Sequence, residues 1–302
     1  MHTPYFFQVL EDAKTALARG TLYVVATPIG NLADITLRAL ATLSAADVVC
    51  AEDTRVTGQL LARYGFKARL VSLREHNERS MAEQVIAWLR AGQIVAQVSD
   101  AGTPAISDPG ARLAHAVWQA DLRVCPIPGA SAVACALSAC GLHTHDWLFV
   151  GFLPPKSTQR KLHLEQWQEA PYAVVLYEAP HRVADCLDDI VTVLRPERHV
   201  VLARELTKTF ETIKRLPAAE LRDWVHADSN QQRGECVLII DAAPSKTTTE
   251  TTLPASARHT LALLLAELPT KQAAKLAASL TGLSKNQLYE EALRLKEEGH
   301  IQ

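Results

Sequence analysis

The chain has 302 residues, 48% of them apolar and 21% charged, and its 31 Lys and Arg against 33 Asp and Glu give a formal net charge of −2. That composition leaves room for about two globular domains and excludes a collagen-like repeat, a coiled coil or a disordered chain. It provides no global basic field, so a nucleic-acid partner would have to be held by local patches. The six cysteines form no CxxC pair and no Cys/His cluster with zinc spacing. Most sit in apolar runs, where a free Cys behaves as a small buried hydrophobe. The N-terminus meets Glu11 and Asp12 before any long apolar stretch and lacks the basic start and cleavage site of a signal peptide. No apolar run approaches the ~18 residues of a membrane span, and the sequence reads as cytoplasmic.

In chain order, Leu22–Ala26 reads as a strand, followed by a helix over Ile35–Ser44 with Asp34 as N-cap. Asp47–Ala51 is a second strand. Ser80 with Glu83 fits a capping box, and Gly92 stands where a helix C-cap glycine belongs. Ile94–Val98 is a strand running into Ser99–Pro104. Asp108-Pro109 opens the next helix with Pro at its first position, and Arg123–Ile127 is the strand that closes this half. Further strands are expected at Leu148–Phe152, Ala173–Tyr177, Val200–Ala203 and Cys236–Asp241, with helices over 157–169 and 180–194. Continuous apolar strands imply sheets covered on both faces, and their alternation with helices implies α/β layering.

Residues 243–254 form a polar linker with little to bury. Beyond it, helices are expected over Ala257–Leu268 and Lys271–Leu280, and Ser284 with Gln287 can cap a last one. The helix–Thr281-Gly282–helix arrangement resembles a helix-turn-helix. Its charge is too balanced to imply nucleic-acid binding by itself. The chain thus divides into an N-terminal extension (1–19), two α/β domains (20–140 and 141–242), the linker (243–254) and a small helical domain (255–302).

Ligand sites in open α/β sheets lie at the carboxyl ends of strands. Four such turns here are rich in small residues, Gly or Pro: Thr27–Asn31, Ser99–Pro104, Pro126–Ala132 and Tyr177–Arg182. Neither G-x-G-x-x-G nor the P-loop pattern follows a strand, which disfavours ordinary dinucleotide and P-loop sites. Gly129-Ala130-Ser131-Ala132-Val133 lacks the second glycine of a nucleophile elbow, so Ser131 is read as a small backbone-contact or cap residue.

The runs Ala26–Leu32 (ATPIGNL), Ala51–Arg55 (AEDTR), Val98–Pro104 (VSDAGTP), Phe152–Pro154 (FLP) and Ala203–Lys208 (ARELTK) together resemble the ribosomal RNA small subunit methyltransferase I family of the tetrapyrrole-methylase superfamily. The resemblance spans about residues 21–242 and continues into the arm over Leu253–Leu293. It implies a two-domain α/β fold that binds S-adenosylmethionine in its cleft without a glycine fingerprint and without a metal. It further implies a homodimer that methylates the ribose 2′-oxygen of a cytidine in the decoding region of 16S rRNA in the small ribosomal subunit. By the same resemblance the donor pocket uses Pro28 and Gly30, Asp100, Ala101 and Gly102 with Ile106, then Ser131 and Ala132, and Tyr177 and Ala203 from the second domain.

Asp100 would accept from a ribose hydroxyl or the donor's ammonium; as a helix cap it would do neither. Groups just past strand ends that could take the 2′-proton are Asp53, Glu178, His181, Glu205 and Lys208, with His181 equally suited to a helix start or an RNA phosphate. The densest basic cluster is Lys156, Arg160 and Lys161, and Arg55, Arg182 and Arg204 could add phosphate contacts near the cleft. Two other readings fit the same fold: a methyltransferase of a small tetrapyrrole precursor, and a non-catalytic RNA-binding assembly protein.

Overall fold

A computed structural model of the chain describes residues 5–142, 144–244 and 253–297. Those up to 243 form one compact unit and those from 244 onward a second. The first unit opens with α1 (Tyr5–Thr15), β1 (Thr21–Val25), α2 (Leu37–Ala45), β2 (Val48–Ala51), α3 (Thr54–Arg63) and β3 (Leu70–Ser72). It continues through α4 (Glu78–Arg90), β4 (Val95–Val98), α5 (Ala111–Gln119), β5 (Arg123–Ile127) and α6 (Ala132–Ala139). These strands make a fully parallel sheet in the order β3-β2-β4-β1-β5. Alternate strand residues enter different cores, as the period of two requires. Tyr23, Val25, Val49 and Ala96 pack with Ala39 and Leu43 of α2 and Leu61 of α3. Leu22, Cys50 and Val95 pack with Val85 and Leu89 of α4 and with Leu113 and Val117 of α5.

The second sheet is built from β6 (Trp147–Phe152), α7 (Ser157–Glu165), β7 (Ala173–Glu178), α8 (Val183–Val193), β8 (His199–Arg204), β9 (Thr212–Pro217), α9 (Ala218–Ala227) and β10 (Cys236–Ile240). Its order is β6-β7-β10-β8-β9, parallel only between β6 and β7. One face packs on α7, α8 and α9 through Leu164, Leu187 and Leu221. The other receives Ile29 and, from α6, Val133 and Ala136. Residues of the first half therefore complete the core of the second, which is why the two sheets form one unit.

Several boundaries differ from expectation, each for a local reason. Thr36, not Asp34, caps α2 by accepting from the Ala39 N–H. Ser80 lies inside α4, which begins at Glu78. Asp108-Pro109 does not open a helix: α5 starts at Ala111 behind Gly110, and the preceding residues line a cavity described below. The N-terminus of α5 is instead satisfied from a distance. The buried Glu78 carboxylate accepts from the Gly110, Arg112 and Leu113 N–H groups at 2.8, 3.0 and 3.1 Å. Gly92, at φ 76°, does close α4 as its sequence position suggests.

The second unit is α10 (Ala255–Glu267), α11 (Thr270–Thr281) and α12 (Lys285–Glu297) around a core of Leu261, Leu265, Ala273, Ala277, Leu288 and Ala292. Gly282 turns the chain between α11 and α12 in the left-handed conformation (φ 71°). Of the linker expected over 243–254, residues 245–252 lie outside the described residues, as do residues 1–4 of the expected N-terminal extension. Among the described residues no helix is long and apolar enough to cross a membrane. All six cysteines are free, four of them buried. Burial pushes the Cys50 thiol up to about 12, as expected of a packing residue rather than a nucleophile.

Candidate functional site

In the first sheet the chain leaves β1 toward β2 and leaves β4 in the opposite direction toward β5. A crevice opens where those directions diverge, outside the carboxyl ends of the strands. Thr27 and Gly102 clasp the two loops there with reciprocal backbone hydrogen bonds of 2.9 and 3.0 Å. The Thr27 hydroxyl also donates to the Ser99 carbonyl at 3.2 Å. Gly102 sits at φ 78°, and a Cβ on it would press to 3.2 Å from Ile29.

The cavity beside this clasp has a volume of about 410 Å³, within the range of small-molecule sites. From the first half it is lined by Ile29, Glu52, the 100–103 turn, Ile106 to Asp108, and Ser131-Ala132. From the second half come Phe152, Tyr177 to Pro180, Ala203, Leu206 and Glu235 to Val237. The wall over residues 105–107 is conformationally strained, since Ala105 (φ 68°) and Ser107 (φ 66°) both occupy the left-handed region.

Among the described residues, five carboxylates line the cavity (Glu52, Asp100, Asp108, Glu178 and Glu235), and no Lys, Arg or His does. Glu178 is compensated by Arg182, whose Nε lies 3.1 Å from Oε1. Glu235 is compensated by Lys208 at 3.2 Å. Among the described residues, Asp100 accepts from the backbone N–H of Asp53, at 3.0 Å. Burial pushes Glu52 above its ordinary range; the Asp100 N–H opposes that shift, while the Asp100 and Asp108 charges add to it. Burial likewise raises Asp108 despite a hydrogen bond from Ser99, and the Asp100 charge adds to the rise. The Tyr177 phenol is raised first by burial and then by Asp108. These are the signatures of carboxylates crowded into a partly dry space, where the Arg74 charge offsets the rise of Glu52 only in part. A cation placed among them would relieve all three. A polyanion would meet repulsion. Among the described residues, no group of three or more His, Cys, Asp or Glu could hold a metal ion.

Of the residues expected to bind a donor, Asp100, Ala101, Gly102, Ile106, Ser131, Ala132, Tyr177 and Ala203 line the cavity. Pro28 and Gly30 do not; Ile29 between them does. Gly30 serves another purpose. A Cβ there would stand 2.4 Å from Cγ of Lys208, so the glycine makes room for a lysine stem crossing from the second half.

Of the groups expected to take a proton, Glu178 alone lines the cavity. Asp53 caps α3 and binds Arg55, with Oδ2 2.6 Å from Nη2, which holds its carboxyl well below the usual range. His181 is exposed in the short helix after β7 and outside the lining. Glu205 accepts from Lys208 at 2.8 Å and from the Glu235 N–H at 2.9 Å. Burial raises its pKa, but those bonds and the Lys208 and Arg204 charges outweigh it and leave it lowered. Lys208 is drawn down by burial and raised further by its two glutamate partners.

Three of the expected RNA cations are internal struts. Arg160 is 3% exposed. Its Nε lies 2.6 Å from Asp189, and its other nitrogens reach the Pro155 and Asp185 carbonyls. Arg204 is buried, with bonds to the Arg233 and Phe210 carbonyls and the Thr212 hydroxyl. Arg182 joins Glu178 to the Leu153 and Pro154 carbonyls. Lys156 and Arg55 are exposed, the latter paired with Asp53, and Lys161 lies 3.4 Å from Asp189. Sequence reasoning missed Glu52, Asp108, Phe152 and Glu235. For Glu52 a signal existed, since it precedes the chosen Asp53 at the same strand end.

Residues 21–222 match the family model described as tetrapyrrole (corrin/porphyrin) methylases, and residues 251–296 match that of the RsmI C-terminal HTH domain. The chain is 52% identical over 291 residues to ribosomal RNA small subunit methyltransferase I of Neisseria meningitidis serogroup B, covering 96% of this chain and 99% of that one. It is 51% identical over 276 residues to the protein of the same name in Escherichia coli O157:H7, covering 91% and 96%. Among solved structures it resembles a uroporphyrin-III C-methyltransferase of Thermus thermophilus complexed with S-adenyl homocysteine. That match has a TM-score of 0.52 and 17% identity and covers 74% of this chain and 98% of that one, a likeness of fold alone.

Proposed function

Because this chain belongs to the ribosomal RNA small subunit methyltransferase I family, within the tetrapyrrole methylases, we propose that it transfers the methyl group of S-adenosylmethionine to the ribose 2′-oxygen of a cytidine in the decoding region of 16S rRNA. The observation that carries the donor assignment is the cavity's charge. S-adenosylmethionine is a sulfonium with an α-ammonium, and the cavity offers Glu52, Asp100 and Asp108 with no side-chain cation in the lining. Ile29, Ala132 and Val237 supply apolar wall for an adenine.

When bound, the donor supplies a methyl group already activated by the sulfonium, so displacement by oxygen needs no covalent enzyme intermediate. The protein's task is alignment, where orientation can contribute ~7–11 kcal/mol. The clasp of Thr27 on Gly102 and the strained 105–107 wall fix one side of the cavity. Arg182 fixes the other by holding Glu178 against the turn after β6. We assign proton acceptance to Glu178. The ribose hydroxyl becomes strongly acidic only as its oxygen gains the methyl, so a carboxylate suffices, and a positioned base contributes about 10²–10⁴-fold. Arg182 at 3.1 Å and the Ala179 N–H at 2.8 Å fix the position of its Oε1. Lys156 and Lys161 are the cations suited to RNA phosphate. The exposed Trp147 and Leu148 on the edge strand β6 support assembly as a homodimer.

The test is nucleoside analysis of 16S rRNA from cells with and without this protein. A 2′-O-methylcytidine present only with the protein is the expected result; identical nucleosides in both would overturn the assignment.

A further inference from the structure

The loop that follows β8 is strained at two positions. Glu205 (φ 52°) and Thr207 (φ 67°) both occupy the left-handed region, where a β-branched Thr is an outlier. The Thr207 hydroxyl is also buried with no hydrogen-bond partner among the described residues. Strain of this kind persists only where the surroundings over-determine it, and it clusters at functional sites.

What the strain achieves is to fold Lys208 back over Glu205. The Lys208 N–H donates to the Glu205 carbonyl at 3.0 Å, and its Nζ lies 2.8 Å from Glu205 Oε1 and 3.2 Å from Glu235 Oε2. Glu205 and Glu235 are in turn joined through their backbones. The Glu205 N–H donates to the Glu235 carbonyl, and the Glu235 N–H to Glu205 Oε1, both at 2.9 Å. Gly234, at φ 81°, leaves space for this arrangement, since a Cβ there would collide with the Glu205 carboxylate.

From that anchor the lysine stem runs against Gly30, where a Cβ would collide with it. Gly30 belongs to the loop after β1 whose Thr27 is clasped to Gly102. On its other side the anchor meets the strand ends. Glu235 precedes Cys236, which pairs with Glu178 at the end of β7 and with Arg204 at the end of β8. Lys208 therefore ties the row of strand ends that includes Glu178 to the first half of the unit. Its ion pairs add little stability, because the Glu235 side chain is 71% exposed. Lys208 itself lies outside the cavity lining, although Leu206 and Glu235 are part of it.

We propose that Lys208 is a positioning residue for methyl transfer, fixing the strand end that carries the proton acceptor Glu178 relative to the donor. This rests on the RNA methyl-transfer reading above. Glu52, Asp100 and Asp108, which attract the donor, all belong to the first half and do not depend on the tie. Breaking it frees the Glu235 carboxylate, which does not repel a cation. What is lost is alignment, where a displacement of ~1 Å can lower the rate about 10²-fold.

The experiment uses the full chain and small ribosomal subunits from cells lacking it, comparing the wild type with Lys208→Met and Lys208→Arg. Methyl transfer gives kcat and KM for the subunit, calorimetry gives donor affinity, and RNA affinity is followed against salt. Lys208→Met is expected to lower kcat by about 10- to 100-fold, with KM, donor affinity and the salt slope held and the melting temperature within ~4 °C of the wild type. Lys208→Arg keeps a cation for both glutamates but cannot give up a proton, and it should restore most of kcat. An unchanged kcat in Lys208→Met would overturn the positioning role. A raised KM with a shallower salt slope would overturn it by making Lys208 a phosphate contact. An arginine variant as slow as the methionine one would overturn it by making the lysine a proton carrier. A fall in melting temperature large enough to account for the loss would overturn it by making the tie a stability element. Absence of transfer by the wild type would instead overturn the RNA reading, and the positioning role with it.

Discussion

Replacing Arg160 with alanine separates a structural role from an RNA contact. Its guanidinium is 3% exposed and lies between α7 and α8. Nε is 2.6 Å from Asp189, and two further bonds reach backbone carbonyls. Removing one partner of a buried pair costs about 3–5 kcal/mol, because the other charge is left without compensation. Asp189 would still accept from the Ser157 hydroxyl at 2.8 Å and keep Lys161 at 3.4 Å. The cost therefore falls at the lower end, ~3 kcal/mol. At about 2–4 °C per kcal/mol for a unit of this size, the melting temperature should drop by ~6–12 °C. The assay is thermal unfolding alongside RNA affinity measured over a series of salt concentrations, well below the transition. The salt slope should match the wild type, since no phosphate contact has been lost. Intact stability with a slope shallower by about 1 would refute the reasoning and return Arg160 to the RNA surface.

Other consequences follow from the same geometry. Asp108→Asn should weaken S-adenosylmethionine binding at neutral pH and flatten its pH dependence in calorimetry. In the wild type, affinity should fall as pH drops through the raised range of Glu52 and Asp108, because protonation there removes the charge that attracts the cation. Stability runs the other way: a carboxyl raised on folding favours the fold below its unfolded pKa and costs stability once pH exceeds the raised value. Asp108→Asn should accordingly unfold at an equal or higher temperature at pH 7, and a loss of stability there would contradict the assignment. Glu78→Gln weakens three backbone bonds at the start of α5. It should cost about 1–3 kcal/mol in urea unfolding and loosen donor binding through the adjoining loop; a variant indistinguishable in both would remove Glu78 as that loop's anchor. Gly30→Ala must displace the Lys208 stem. Methyl transfer should fall while donor affinity holds, and Lys208→Met should mask the effect; additive losses would mean the two residues act separately.

The strands were legible wherever burial on both faces made them continuous apolar runs, as at Val48–Ala51 and Cys236–Ile240. The same signal does not encode direction. Val200–Ala203 and Cys236–Ile240 run antiparallel, yet they read no differently from the strands of the parallel sheet. Two of the four edge strands, β3 and β9, escaped notice because one or both faces are wet, whereas the edge strands β5 and β6 were read. Leu70–Ser72 is short and half-buried, and Thr212–Pro217 carries Lys214 and Arg215 in its middle.

In the site, the glycine- and proline-rich turn at Asp100 was readable because a backbone meeting a ligand needs small residues. Asp108 was not, since Asp-Pro also opens helices, and only the three bonds from Glu78 show why the helix waits until Ala111. The triplet of Lys156, Arg160 and Lys161 misled for a related reason. Helical spacing turns Arg160 inward to Asp189, a partner 29 residues away that nothing local announces.

The most direct test of the account is methyl transfer from radiolabelled S-adenosylmethionine by the purified protein, using small ribosomal subunits from cells that lack it and then resolving the nucleosides. Label in 2′-O-methylcytidine, lost on Asp100→Ala together with donor binding, is the result the account requires. Donor bound but label absent from RNA, or present only on a nucleobase, would contradict it.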